Sequence, residues 1–157
     1  MFLPNLSNAL DNIRRSLVSG GRLAAAVWAE PTKVPQLNVP MSIVRQELRL
    51  PLSAPGIPGT FSFIDLKELK KSLVRAGFRD IRSENIQVTF VFNSAEDYAR
   101  FTQEIAAPVN VMLANGTEER KAQIWNIVTD YVKAQYTNDC DRVKLDNEAM
   151  CIAARRE

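Results

Sequence analysis

Asp65 and Glu68 stand three positions apart, a spacing that sets two carboxylates on one helical face and would suit general acid–base chemistry. The same spacing is that of a capping box, in which side chains at a helix start accept from first-turn N–H groups that lack partners. The stripe Leu66, Leu69, Leu73 begins between them, so capping accounts for the pair. Gly20-Gly21 is short for a phosphate-cradling loop and follows a helical stripe, which predicts helix termination. Cys140 and Cys151 lie eleven positions apart with no second pair, which is not zinc spacing; Cys151 is expected as a reduced, buried residue. The chain has no histidine, which excludes His general bases, Ser–His and Cys–His nucleophiles, and His metal ligation. Trp28, Phe61 and Phe63 bracket a Pro-rich stretch, and packing under that stretch is the plain reading of Trp28.

The elements that would position these groups can be read from periodicity. Leu6, Ala9, Leu10, Ile13 and Leu17 form one helical stripe, with Asn5 as the N-cap. Arg22–Trp28 is apolar without alternation, the pattern of a strand buried in a parallel sheet, although its three alanines favour helix. Residues 29–62 carry six of the eight prolines and read either as a lid or as a mobile loop, with a short helix over Met41–Leu50. A helix over Asp65–Ala76 ends at Gly77, and Phe78–Phe92 alternates as a long strand with Ile86, Val88, Phe90 and Phe92 on its better-buried side. Ser94 caps a helix with Tyr98, Phe101 and Ile105 inward, stopping near Pro108. Thr117–Tyr136 is the longest helix, burying Ile124, Trp125, Val128, Tyr131 and Val132, with Trp125 and Tyr131 as packing residues rather than a ligand cage. Arg142–Ala153 is the last strand.

Composition sets the outer bounds. The 157 residues carry 20 Lys+Arg against 18 Asp+Glu, a net charge of +2, and 46% are hydrophobic. These values fit an ordinary globular domain with a core of its own and predict a single domain over 1–157. Lys67, Lys70, Lys71 and Arg75 have no interleaved aromatics, so they read as a solvated helix face and not a nucleic-acid patch. The longest apolar run, Leu23–Ala29, is too short to span a bilayer, and the first residues are not those of a signal peptide; a cytoplasmic protein is the expectation.

Several stretches together resemble a known family. Phe2-Leu3-Pro4-Asn5 and Ile13-Arg14-Arg15-Ser16-Leu17-Val18-Ser19-Gly20-Gly21-Arg22-Leu23 are similar to the "F-P-D … R-R-V-L-K-P-G-G-R-L" segment of class I S-adenosylmethionine-dependent methyltransferases of the small-molecule (quinone) type. Asp65–Leu69 through Ala76-Gly77-Phe78 resembles that family's "L-L-x-x-A-G-F" entry to its sixth strand, and Asn147–Arg156 resembles its seventh. The resemblance implies an α/β fold: a partial doubly wound (Rossmann-like) sheet with strands ordered 5-7-6, flanking helices, and the N-terminal cofactor-binding half absent. It also implies S-adenosylmethionine as cofactor, with Phe2 as a contact. No G-x-G turn occurs, so a chain of this kind is not expected to bind the cofactor alone.

Two expectations follow from the resemblance. The 22–28 strand becomes a sheet edge that recruits a second copy or a complementing chain. The lid would shape a pocket for a small-molecule acceptor at the C-terminal end of that strand, with Trp28, Phe61 and Phe63 as the candidate substrate-binding residues; the alternative for Trp28 is packing under the lid. The functions in competition are a small-molecule methyltransferase (truncated, or one half of a split enzyme), a non-catalytic module acting by self-association or by binding a complete methyltransferase, and a carrier-like pocket for an apolar ligand.

Overall fold

The computed structural model describes residues 3–51, 59–62, 65–138 and 140–157. The chain divides into two compact units, one of Met1–Glu30, Ser53–Gln87 and Glu148–Glu157, the other of Pro31–Leu52 and Val88–Asn147. Three strands form one sheet, β1 (Arg22–Trp28), β2 (Phe78–Phe92) and β3 (Val143–Arg156), in the order β1-β3-β2. β1 runs antiparallel to β3, with Arg22 opposite Arg155 and Trp28 opposite Ala149. The parallel, doubly covered setting expected for β1 is therefore corrected. β1 is an edge strand, and Ala24, Ala25 and Ala26 are exposed.

In the first unit, helices α1 (Leu6–Ser16) and α3 (Leu66–Arg75) cover one face of the sheet. Leu10, Leu69, Leu73, Phe78, Met150, Ile152 and Ala154 form the buried cluster, with Leu23, Val27 and Ile81 packed against it. Asn5 caps α1 as expected, its Oδ1 accepting from Asn8 N–H at 2.9 Å. Asp65 caps α3 through Lys67 and Glu68 N–H, while Glu68 pairs with Lys71 instead of closing the box. Gly77, at φ +82°, ends α3 as read. The Gly20 reading is corrected: α1 stops at Ser16, and Gly20 (φ +74°) belongs to the turn into β1, donating to Arg156 C=O at 3.1 Å. Phe78 and Ile81 share a face although strict alternation would oppose them. Asp80 between them sits at φ +52°, a single left-handed residue that shifts the phase of β2 by one.

The second unit is helical around the inner parts of β2 and β3. It contains a 3-10 turn (Pro31–Lys33), α2 (Pro35–Glu47), α4 (Ala95–Ile105), α5 (Ala107–Leu113) and α6 (Glu118–Tyr136). Tyr98, Ile124, Val128, Val132, Val143 and Leu145 are its buried centre. Three side chains expected inside are exposed, Ile86 of β2 among them. Ile105 is the last residue of α4, and the neighbouring Ala106 takes the buried place. Tyr131 lies beside the buried stripe of α6, its ring 6.5 Å from that of Tyr136.

The expected helix over Met41–Leu50 begins six residues earlier and stops at Glu47. Pro35 fits a first helical turn, where no N–H is required. Pro40 lies inside α2, and a buried hydroxyl explains how it is tolerated, while a buried amide serves the first turn. Having no N–H, Pro40 leaves the carbonyl of Gln36, four residues back, without its helical donor. The Tyr98 hydroxyl donates to that carbonyl at 3.1 Å. Gln36 N–H, unpaired in the first turn, donates to Asn147 Oδ1 at 2.9 Å. Asn147 Nδ2 in turn donates to the carbonyls of Val88 and Leu145.

Candidate functional site

Alternation along the antiparallel β1–β3 pair sorts side chains by face. Leu23, Val27, Met150, Ile152 and Ala154 enter the core with α1 and α3. The opposite face carries Ala24 beside Ala153, Ala26 beside Cys151, Trp28 beside Ala149, and Arg22 beside Arg155. From β2, Arg82 and Glu84 reach the same side. Small residues floor an open hollow of about 690 Å³, lined chiefly by Ala24, Ala26, Cys151 and Ala153. A second hollow of about 500 Å³ continues from it at Arg82 and Ala153 and is bordered by Arg22, Asp80 and Arg155.

The backbone of β1 is sorted by the same geometry. Arg156 N–H donates to Gly21 C=O at 2.7 Å and Ala29 N–H to Glu148 C=O at 3.0 Å. Antiparallel ladders alternate, so the odd-numbered residues of β1 face β3, while Arg22, Ala24, Ala26 and Trp28 direct N–H and C=O to the outer edge. No strand pairs with that edge among the described residues.

Of the residues singled out in the sequence, Trp28 sits half-buried at the last position of β1. Phe61 is half-buried in the turn at 59–62, and no ring contact joins it to Trp28 among the described residues. Phe2 and Phe63 lie outside the described residues, as does part of the proposed lid, 52–58. Among the described residues the strand paired with β1 is antiparallel, so Trp28 does not end a strand with a parallel neighbour. Cys140 is exposed, and Cys151, expected buried, is half-buried in the hollow because its neighbours on that face are alanines; both are free thiols. Among the described residues no group of His, Cys, Asp or Glu is placed to hold a metal, and no helix is long and apolar enough to cross a membrane.

A cradle for a nucleoside cofactor needs a glycine turn whose backbone a ligand can approach. The two glycines with left-handed backbone are each covered by an arginine. A Cβ on Gly20 would stand 3.0 Å from Arg155 Nη2, and one on Gly77 would stand 3.1 Å from Arg14 Cδ.

The arginines were not legible as a group in the sequence. Arg22, Arg82 and Arg155 are far apart in the chain and meet only through strand register; the faint signal was a cation at one end of each small-residue strand face.

No family model matches the chain, and no curated protein matches it. Among solved structures it is similar to a Bacillus halodurans protein described as a candidate methyltransferase, at 19% identity and TM-score 0.48, covering 99% of this chain and 64% of that one. It is also similar to a Haemonchus contortus phosphoethanolamine N-methyltransferase in complex with phosphomonomethylethanolamine and S-adenosylhomocysteine, at 13% identity and TM-score 0.38, covering 96% and 30%. A third is the YcgJ protein of Bacillus subtilis, at 12% identity and TM-score 0.42, covering 98% and 58%. The chain spans less than two thirds of each of these proteins.

Proposed function

We propose that this chain forms the acceptor-side part of an S-adenosylmethionine-dependent small-molecule methyltransferase, and that the cofactor pocket is supplied by further polypeptide pairing with the outer edge of β1. The single observation that carries this reading is that edge, to which no strand pairs among the described residues. Four residues, Arg22, Ala24, Ala26 and Trp28, direct backbone donors and acceptors outward, on a strand whose small side chains leave room for a neighbour. The segments quoted above for the family supply the chemistry. In this reading Trp28, Phe61 and Phe63 border the methyl acceptor, and Phe2 meets the cofactor held mainly by the added polypeptide. Methyl transfer then depends on positioning two substrates in line and does not require a histidine base.

A second reading uses the same edge without catalysis: a methyltransferase-like module that associates with itself or with a complete enzyme. Isothermal titration of S-adenosylmethionine separates the two. The first reading expects no heat from the chain alone and saturable binding after a chain bearing a Gly-rich cofactor half is added. Binding by the isolated chain would overturn the proposed division of labour. No binding in the mixture favours the second reading. Ala26→Pro tests the edge in both. Its lost N–H points away from β3, so the fold is retained while association measured by light scattering falls.

A further inference from the structure

The exposed face of the β1-β3-β2 sheet holds an arrangement that folding alone does not account for. Arg22 and Arg155 stand directly opposite each other across the β1–β3 pair, where like charges oppose folding. Arg82 of β2 borders the same hollow, and Asp80 is the one carboxylate lining it. Among the described residues neither Arg22 nor Arg82 has a carboxylate within ion-pair distance. Arg155, by contrast, is set in place. Its Nε donates to Gly20 C=O at 3.1 Å, and the guanidinium lies over Gly20, where a side chain would collide with Nη2. Three guanidinium groups from three adjacent strands thus surround a hollow of about 500 Å³, one of them oriented by a backbone carbonyl and a left-handed glycine.

The larger hollow adjoining it has a different character. Its floor is Ala24, Ala26, Cys151 and Ala153, and the charged groups bordering it among the described residues are Arg82 and Glu84 of β2. The two hollows share Arg82 and Ala153, so one occupant can lie across both. Each is in the size range of small-molecule sites. Guanidinium forks bind planar or tetrahedral oxyanions through paired N–H donors, and the alanine floor accepts an apolar body at van der Waals distance.

We infer that this sheet face binds a small anionic molecule, a phosphate or carboxylate bearing an apolar body, with the anion between Arg22, Arg82 and Arg155 and the body over Ala24, Ala26, Cys151 and Ala153. The inference stands on the first unit alone and is independent of any methyl-transfer role.

Backbone amide shifts of the 15N-labelled full chain test it, titrated at constant ionic strength with phenyl phosphate, phenylacetate and inorganic phosphate. Saturable shifts are expected at residues 22–26, 80–84 and 151–155. A phenyl-bearing anion should bind roughly tenfold more tightly than inorganic phosphate, because the ring removes apolar surface from water. The tighter of the two phenyl compounds identifies the head group as phosphate or carboxylate. The double variant Arg22→Gln/Arg82→Gln should weaken binding by about tenfold or more while leaving amide dispersion unchanged. Lys67→Gln, on the other side of the unit, should change nothing. Three results would each overturn the inference: shifts that do not saturate or that centre on Lys67–Lys71, an unchanged affinity in the double arginine variant, or inorganic phosphate binding as tightly as phenyl phosphate.

Discussion

Removing the Tyr98 hydroxyl probes how a proline-containing helix is accepted in the second unit. Tyr98 is fully buried and Gln36 is 1% exposed, so water does not reach the carbonyl that Pro40 leaves unpaired. In Tyr98→Phe the ring stays, no cavity opens, and the Gln36 carbonyl loses the donor at 3.1 Å. A buried acceptor without a partner costs about 1–3 kcal/mol, and we take about 2 kcal/mol here. For a chain of this length that lowers Tm by roughly 4–8 °C. Thr102, which also hydrogen-bonds the phenol, is disturbed as well, so the single variant does not isolate the proline. A double-mutant cycle with Pro40→Ala does. Alanine restores the N–H that reaches back to Gln36, while the Thr102 contribution is the same in both backgrounds. Tyr98→Phe should then cost about 1 kcal/mol less in the Pro40→Ala background than in the native chain, read from urea unfolding by far-UV circular dichroism. An equal cost in both backgrounds would refute the compensation argument, and a neutral Tyr98→Phe would refute the premise that the carbonyl is dry.

Three further outcomes follow from the same geometry. Asn147→Leu strands Gln36 N–H and the second side of the Val88 and Leu145 carbonyl environment, and should cost about 3 kcal/mol in urea unfolding, more than Asn85→Leu at an exposed site. Burial pushes the Tyr98 phenol up, despite its hydrogen bond with Thr102. A raised phenol contributes stability that is complete below the unfolded value near 10 and is lost as pH rises through the folded one, so alkaline unfolding should begin above about pH 10 and weaken in Tyr98→Phe. Gly20→Ala should cost about 1–2 kcal/mol from its left-handed backbone, and a calorimetric scan near zero change would refute that conformation.

Local patterns carried the elements well, and tertiary register carried the rest. Asn5, Asp65 and Ser94 cap the helices their spacing announced, because a cap is decided within four residues, and Thr117, read as the first residue of its helix, is the N-cap instead. β1 shows where that reasoning stops. Its unbroken apolar run is what a doubly covered strand would show, yet alanines are also what an exposed strand can carry without a large apolar patch, and only pairing distinguishes the two. The bounds of α2 were misjudged for a related reason: Pro40 speaks against a helix locally, and the groups that satisfy Gln36, Tyr98 and Asn147, are 62 and 111 positions away from it. The candidate site divides in the same way. Trp28 was visible as an aromatic ending a strand. The arginine trio required knowing that residue 22 faces residue 155, next to the turn at Gly20-Gly21, and that the phase shift at Asp80 precedes Arg82 on β2. Those two left-handed residues therefore place chemistry as well as chain. A change at either would move arginines relative to one another before it disturbed the core beneath them.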